Sequence, residues 1–255
     1  MPGLSPAVRT LLIANVIFFA LANFSPALGS RMLGWFAFWF PRNEHFALWQ
    51  VITYMFMHGG IAHILFNMFG LASFGVPLER QWGMRRFLIF YFLCGIGAGI
   101  VHMGVSWFEY QSVYHRLTEA GVTAPAIESL LSTGSYYGPA GDSAIKESMR
   151  DLYRIHAGPM VGASGAIYGI LVAFGLLYPN AQLALLFLPV PIAAKYFIPT
   201  LLLLDLFSGV TGFSLFGGGI AHFAHLGGAL IGFLLMWHWR NRRRFTPRVE
   251  QFGHV

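Results

Sequence analysis

From Phe87 to Phe108 the chain runs for 22 residues without an Asp, Glu, Lys or Arg. A helix of roughly 20 apolar residues crosses the ~30 Å hydrocarbon core of a bilayer. Five further stretches have this character: near Thr10 to about Leu28, about Val51 to Gly75, about Val161 to Tyr178, about Leu183 to Phe207, and about Gly218 to Trp237. The runs are continuous and do not alternate, which argues against a β-barrel. Only 10% of the 255 residues are charged, against about 25% in a typical soluble domain. These features predict an all-α fold, a polytopic membrane bundle of six transmembrane helices. No inverted repeat of the transporter kind is visible.

The net charge of +6 raises nucleic acid as a partner. The arginines point to a lipid bilayer instead. Arg80, Arg85 and Arg86, and then Arg240, Arg242, Arg243 and Arg244, each border the end of an apolar run. Short-loop arginines of this kind mark the cytoplasmic side. Both termini are therefore expected in the cytoplasm of a multi-pass plasma-membrane protein, with the first apolar run retained as a helix rather than cleaved as a signal peptide. Residues 1–245 are read as the membrane domain and 246–255 as a cytoplasmic tail. Within the domain, residues 109–159 are too polar to cross lipid and form an outer insertion. Asp142 or Ser143 is expected to cap a short helix there that runs to about Ile155. The single cysteine, Cys94, permits no internal disulfide and no cysteine metal site.

Polar groups at membrane depth are costly and few. The second run holds His58, His63 and Asn67, the fourth Ser164 and Tyr168, the sixth His222 and His225, and Glu79 stands at the inner end of the second. His63 is expected about 18 Å along a helix starting at Val51. His63 and Asn67, four residues apart, share a helix face, as do Ser164 and Tyr168. Gly165 and Gly169 form one small-xxx-small pair, and Gly228 and Gly232 another on the face of His225. Such faces let backbones approach closely. A lone pair of this type is most often packing, and a lone histidine often bonds a carbonyl. If the two glycine faces meet, however, Ser164 and His225 come within hydrogen-bond reach. An adjacent base is what makes a serine hydroxyl nucleophilic.

Taken together, these residues resemble the rhomboid family of intramembrane serine proteases. HGGIAHILFNMFG at His58–Gly70 is similar to the family's second-helix motif. GASGAIYG at Gly162–Gly169 is similar to its G-x-S-G nucleophile motif with a following tyrosine. AHLGGALIG at Ala224–Gly232 is similar to its sixth-helix motif, and Glu79 with Gly83 to a position at the inner end of helix two. The resemblance covers about Trp49 to Trp237. It implies a Ser–His dyad without aspartate: Ser164 as nucleophile and His225 as base, then acid. It also implies that Tyr168 stacks on the His225 ring, that His63, Asn67 and the Ser164 N–H form the oxyanion hole, and that Gly162, Gly165, Gly228 and Gly232 support them. No metal and no cofactor is implied. His58 is read as structural, and His222 as a minor group at the pocket mouth. The chain departs from the family at Trp49-Gln50, where a Trp-Arg pair is frequent, and in the length of the outer insertion.

The implied substrates are single-span membrane proteins cut near the outer face. Access is expected between helices five and two, with Pro189, Pro191 and Pro199 and the loop Ser208–Gly219 as a gate. The rival classes are a catalytically silent helix-binding protein and a transporter. The oligomeric state has no sequence signal.

Overall fold

The computed structural model describes residues 3–135, 143–185, 188–213 and 221–241. Helix α1 (Pro6–Ala22) and helix α2 (Pro26–Phe36) replace the single first span. The break is chemical. Ser25 is extended and accepts the Leu28 N–H at 3.2 Å, and Pro26 suits the first helical position because its missing N–H would be unpaired there.

The second apolar run is also interrupted. A single turn, α3 (Gln50–Thr53), and a 3-10 turn at Tyr54–Phe56 precede α4 (Ile61–Gly70). His63 therefore lies in the first turn of its helix, not about 18 Å along one. From α4 the chain continues through a π-helical turn, Leu71–Gly75, into α5 (Val76–Trp82). Pro77 explains the wide turn: it offers no N–H and its ring crowds the carbonyl four residues back. Glu79 is 3% exposed. Its carboxylate accepts Ser5 Oγ at 2.5 Å and the Ala7 and Val8 N–H groups at 2.8 and 2.9 Å. An acid on α5 thus caps the start of α1, where N–H groups have no intrahelical acceptor.

After Gly83, with φ of 80°, α6 (Met84–Glu119) runs unbroken for 36 residues, about 54 Å at 1.5 Å per residue. It passes through Phe108 without a break. Helices α7 (Ala124–Thr133) and α8 (Ser143–Ala157) follow. Asp142 lies outside the described residues. Helix α9 (Ser164–Leu177) then leads to a hairpin, β1 (Gln182–Leu185) and β2 (Leu188–Ala193), with Gln182 opposite Ala193. The described residues are mostly helical, as an all-α bundle requires, and the hairpin corrects the fifth span. Pro189 and Pro191 fall in β2, since a helix interior rejects closely spaced prolines. Helix α10 (Ala194–Thr211) starts only afterwards, and Pro199 alone lies within it. Helix α11 (His222–Asn241) closes the described chain. Among the described residues, three helical stretches are long and apolar enough to cross a membrane: Ile61–Trp82, Met84–Glu119 and Ala194–Thr211. Helices α1 and α9 are shorter apolar helices. Arg242–Arg244, most of the gate loop (214–219) and the tail 246–255 lie outside the described residues.

The core joins α6, α9 and α11. A Cβ on Gly228 would stand 1.8 Å from the Gly165 carbonyl oxygen, and one on Gly232 would stand 2.7 Å from the Gly169 Cα. Backbone meets backbone between α9 and α11, as the paired glycines predicted. On the α6 side, Gly165 faces Ala98 and Gly227 faces Val101.

A second, smaller core lies beyond it. Tyr110, Val113 and Leu117 at the far end of α6 pack with Ile127 of α7, Leu152 of α8 and Phe40. This cap docks on the 37–50 loop. Arg42 pairs with Glu128 at 3.1 Å, and Asn43 Nδ2 donates to the His156 carbonyl at 2.9 Å. Gln50 holds the loop itself. Its fully buried amide oxygen accepts the Trp39 and Ala47 N–H groups at 3.3 and 3.1 Å, while Nε2 donates to the His45 and Gly34 carbonyls at 2.7 and 3.1 Å.

Gly228→Ala should lower stability by about 1–3 kcal/mol, the usual cost of overpacking, and should separate α9 from α11; thermal unfolding in detergent checks it. Gln50→Leu strands four backbone groups and should cost about 4 kcal/mol or more, since each buried unpaired group costs about 1–3; denaturant titration reads it.

Candidate active site

Ser164 begins α9, and the segment before it is tied down at three points. Met160 and Phe38 exchange backbone hydrogen bonds at 2.9 Å in each direction, and the Gly162 N–H donates to the Tyr54 carbonyl at 3.0 Å. Gly162 has φ of 118°, a left-handed value that side chains disfavour. As the first residue of α9, Ser164 presents its own N–H with no intrahelical acceptor.

The Ser164 hydroxyl meets His225 Nε2 at 2.8 Å. The Tyr168 ring lies on the imidazole with centroids 4.1 Å apart and planes 12° from parallel. The glycine faces dictate this meeting. They hold α9 and α11 in backbone contact, and Ser164 and His225 stand beside the contact, one on each helix.

His63 approaches from α4. A Cβ on Gly162 would lie 2.6 Å from His63 Nε2 and 3.8 Å from Ser164 Oγ, so the imidazole edge and the hydroxyl border one small space. The Gly59 N–H approaches His63 Nδ1 at 3.4 Å. With Nδ1 as the acceptor, Nε2 carries the proton and faces that space. Asn67 is 5% exposed, and its Nδ2 donates to the His63 carbonyl at 2.9 Å. An amide has two N–H donors, so this bond uses one of them. His58 is buried with its ring edge-on to His63 at 5.1 Å. The arrangement combines a hydroxyl, an imidazole in contact with it, and a second imidazole bordering the same space. Such a set can attack a carbonyl and stabilise the resulting oxyanion.

The sequence model of the Rhomboid domain matches residues 45–242. The chain belongs to the rhomboid family. It is 26% identical to the presenilin-associated rhomboid-like protein, mitochondrial, of Homo sapiens over 249 residues, 94% of this chain and 52% of that protein. It is 26% identical to RHOMBOID-like protein 1 of Arabidopsis thaliana over 272 residues, 92% of this chain and 52% of that one. With the mitochondrial rhomboid protein 1 of Saccharomyces cerevisiae it shares 26% over 189 residues, 74% of this chain and 41% of the relative. The chain thus spans about half or less of the length of these relatives.

Within the rhomboid domain one residue escaped the sequence reading. Asp205 of α10 places Oδ1 3.2 Å from His225 Nδ1 and 2.5 Å from His222 Nδ1. His222 therefore turns to Asp205, while Ser164 bonds His225. The signal was present, for Asp205 is the one acid in the apolar run Leu183–Phe207, and an intramembrane acid is a functional candidate by default. Asp205, His222 and His225 bring ligand-type atoms within 4.8 Å of one another. The short contacts to the shared oxygen are hydrogen-bond distances.

Gly162→Ala should destroy the site while sparing the fold. The new methyl group would meet both an unfavourable φ and the His63 ring. Labelling of the purified protein by a fluorophosphonate should fall at least about tenfold, the scale of losing one oriented group, with the circular dichroism spectrum unchanged.

Proposed function

We propose that this rhomboid is an intramembrane serine endopeptidase that cuts transmembrane-helix substrates near the outer membrane face. The observation that carries this reading is the 2.8 Å contact between Ser164 Oγ and His225 Nε2. Ser164 Oγ attacks the scissile carbonyl carbon as its proton passes to His225 Nε2. The oxyanion forms against the Ser164 N–H, His63 Nε2–H and the free N–H of Asn67. Collapse breaks the C–N bond, and the imidazolium gives its proton to the leaving amine. Water then attacks the acyl ester, His225 takes the water's proton, and the carboxyl product leaves as Ser164 recovers its own. Preorganised donors of this kind are worth about 10²–10³ in rate each.

Helices α1, α4–α5, α6, α9, α10 and α11 serve as the six crossings. Helix α9 has 14 residues, about 21 Å of rise, some 9 Å short of the ~30 Å hydrocarbon core. The shortfall supports a catalytic serine recessed below the outer surface and reached by the 158–163 segment. The arginine asymmetry favours cytoplasmic termini in a plasma membrane. Substrates enter laterally between α10 and α4–α5, and they must unwind, because a helix in lipid hides its peptide bonds.

Incubation of detergent-solubilised protein with a single-span substrate should yield two products. Ser164→Ala and His225→Ala should each lose nearly all cleavage and fluorophosphonate labelling while remaining folded. Cleavage that survives Ser164→Ala would overturn the reading, and a folded wild type that neither cleaves nor labels would mark a silent helix-binding protein.

A further inference from the structure

We propose that Asp205 is a positioning residue for His225, completing a Ser164–His225–Asp205 relay across α9, α11 and α10. The proposal rests on the proteolytic reading and adds to it a carboxylate that the family resemblance does not supply.

The two ring nitrogens of His225 face opposite partners. Nε2 lies 2.8 Å from Ser164 Oγ, and Nδ1 lies 3.2 Å from Asp205 Oδ1. An ionised carboxylate only accepts hydrogen bonds. Nδ1 therefore carries the hydrogen, and Nε2 keeps the lone pair that must take the serine proton. Tyr168 cannot make this choice. Its ring fixes the plane of the imidazole, but a stack is indifferent to which edge nitrogen is protonated. Orientation is supplied by the tyrosine and tautomer by the aspartate.

The partners of the carboxylate all belong to the cluster around His225. Its side chain is 7% exposed, and it meets both histidines, with the Tyr168 side chain as a further hydrogen-bond partner. Lys195, the other charged residue of α10, bonds Asn180 Oδ1 at 3.0 Å instead. Burying an unpaired acid among the apolar residues of α10 is costly, and contact with an imidazole that becomes cationic in each turnover offsets that cost. His222 donates to the same oxygen from the first turn of α11 and braces the carboxylate against the ring. The titratable groups around His225 are then Asp205 of α10, His222 of α11, Tyr168 of α9, and, within electrostatic reach, His63 of α4 and His102 of α6.

The test compares wild type, Asp205→Asn, Asp205→Glu, Ser164→Ala and His225→Ala on a single-span substrate in detergent. Replacing the triad aspartate by asparagine in a soluble serine protease lowers kcat by about 10⁴ through the wrong tautomer. Here Tyr168 retains the ring plane, so Asp205→Asn should lower kcat by about 10²-fold or more, with KM changed less than about threefold. Asp205→Glu should recover part of the loss. If Asp205→Asn keeps kcat within about threefold of wild type while Ser164→Ala and His225→Ala are dead, the relay is wrong and the dyad stands. Cleavage by Ser164→Ala instead removes the proteolytic reading itself. Should the Asp205 variants fail to fold, ¹⁵N-histidine spectra of the wild type decide: neutral His225 protonated at Nδ1 supports the relay, and protonation at Nε2 overturns it.

Discussion

The α9–α11 contact governs the rest of the structure. Gly165 and Gly169 on one helix face Gly228 and Gly232 on the other so closely that a methyl group at Gly228 would overlap the Gly165 carbonyl oxygen. In lipid the usual hydrophobic drive between helices is absent, and close backbone approach with van der Waals packing takes its place. The distance between Ser164 and His225 follows from this contact. A wider crossing would move the hydroxyl away from Nε2 and the imidazole off Tyr168. Small residues on α6 and α11 extend the arrangement, since Gly227 admits Val101 and Gly165 admits Ala98.

The glycine faces and the Ser164, Tyr168 and His225 spacing were legible because each lies within one continuous helix, where the 3.6-residue period fixes which groups share a face. Boundaries were less legible. Hydropathy alone carried the first span past Ser25 into the start of α2 and read β1–β2 into helix five, although Ser25-Pro26 and the pair Pro189 and Pro191 carried the stop signals. The position of His63 was misjudged for a related reason. An apolar composition hides the irregular stretch from Met57 to Gly60, so a span was counted from Val51 when α4 starts at Ile61. Asp205 was less legible because it belongs to no motif: it stands alone among the apolar residues of α10, and its histidine partners come from α11. The role of Gln50 had no local signature, since its four partners come together only when the 37–50 loop closes.

Irregular backbone at the site is tolerated because each piece has specific partners. The approach to Ser164 is held by Phe38 and Tyr54, and the loop behind it by the Gln50 amide. Glu79 does comparable work at the opposite end, receiving the first N–H groups of α1. Gln50 and Glu79 therefore hold a loop and a chain end, while Asp205 meets His225.

The length of α6 has a consequence for where the cap can stand. A rod of about 54 Å tilted by 40°, the upper end of the usual range, still rises about 41 Å, well over the ~30 Å hydrocarbon thickness. No ordinary inclination can sink it. With Met84 at one boundary, the far end of α6 near Leu117, about 38 Å up even at that tilt, is thus carried clear of the acyl chains with α7 and α8 gathered beside it, a platform whose elevation is set by a single uninterrupted helix.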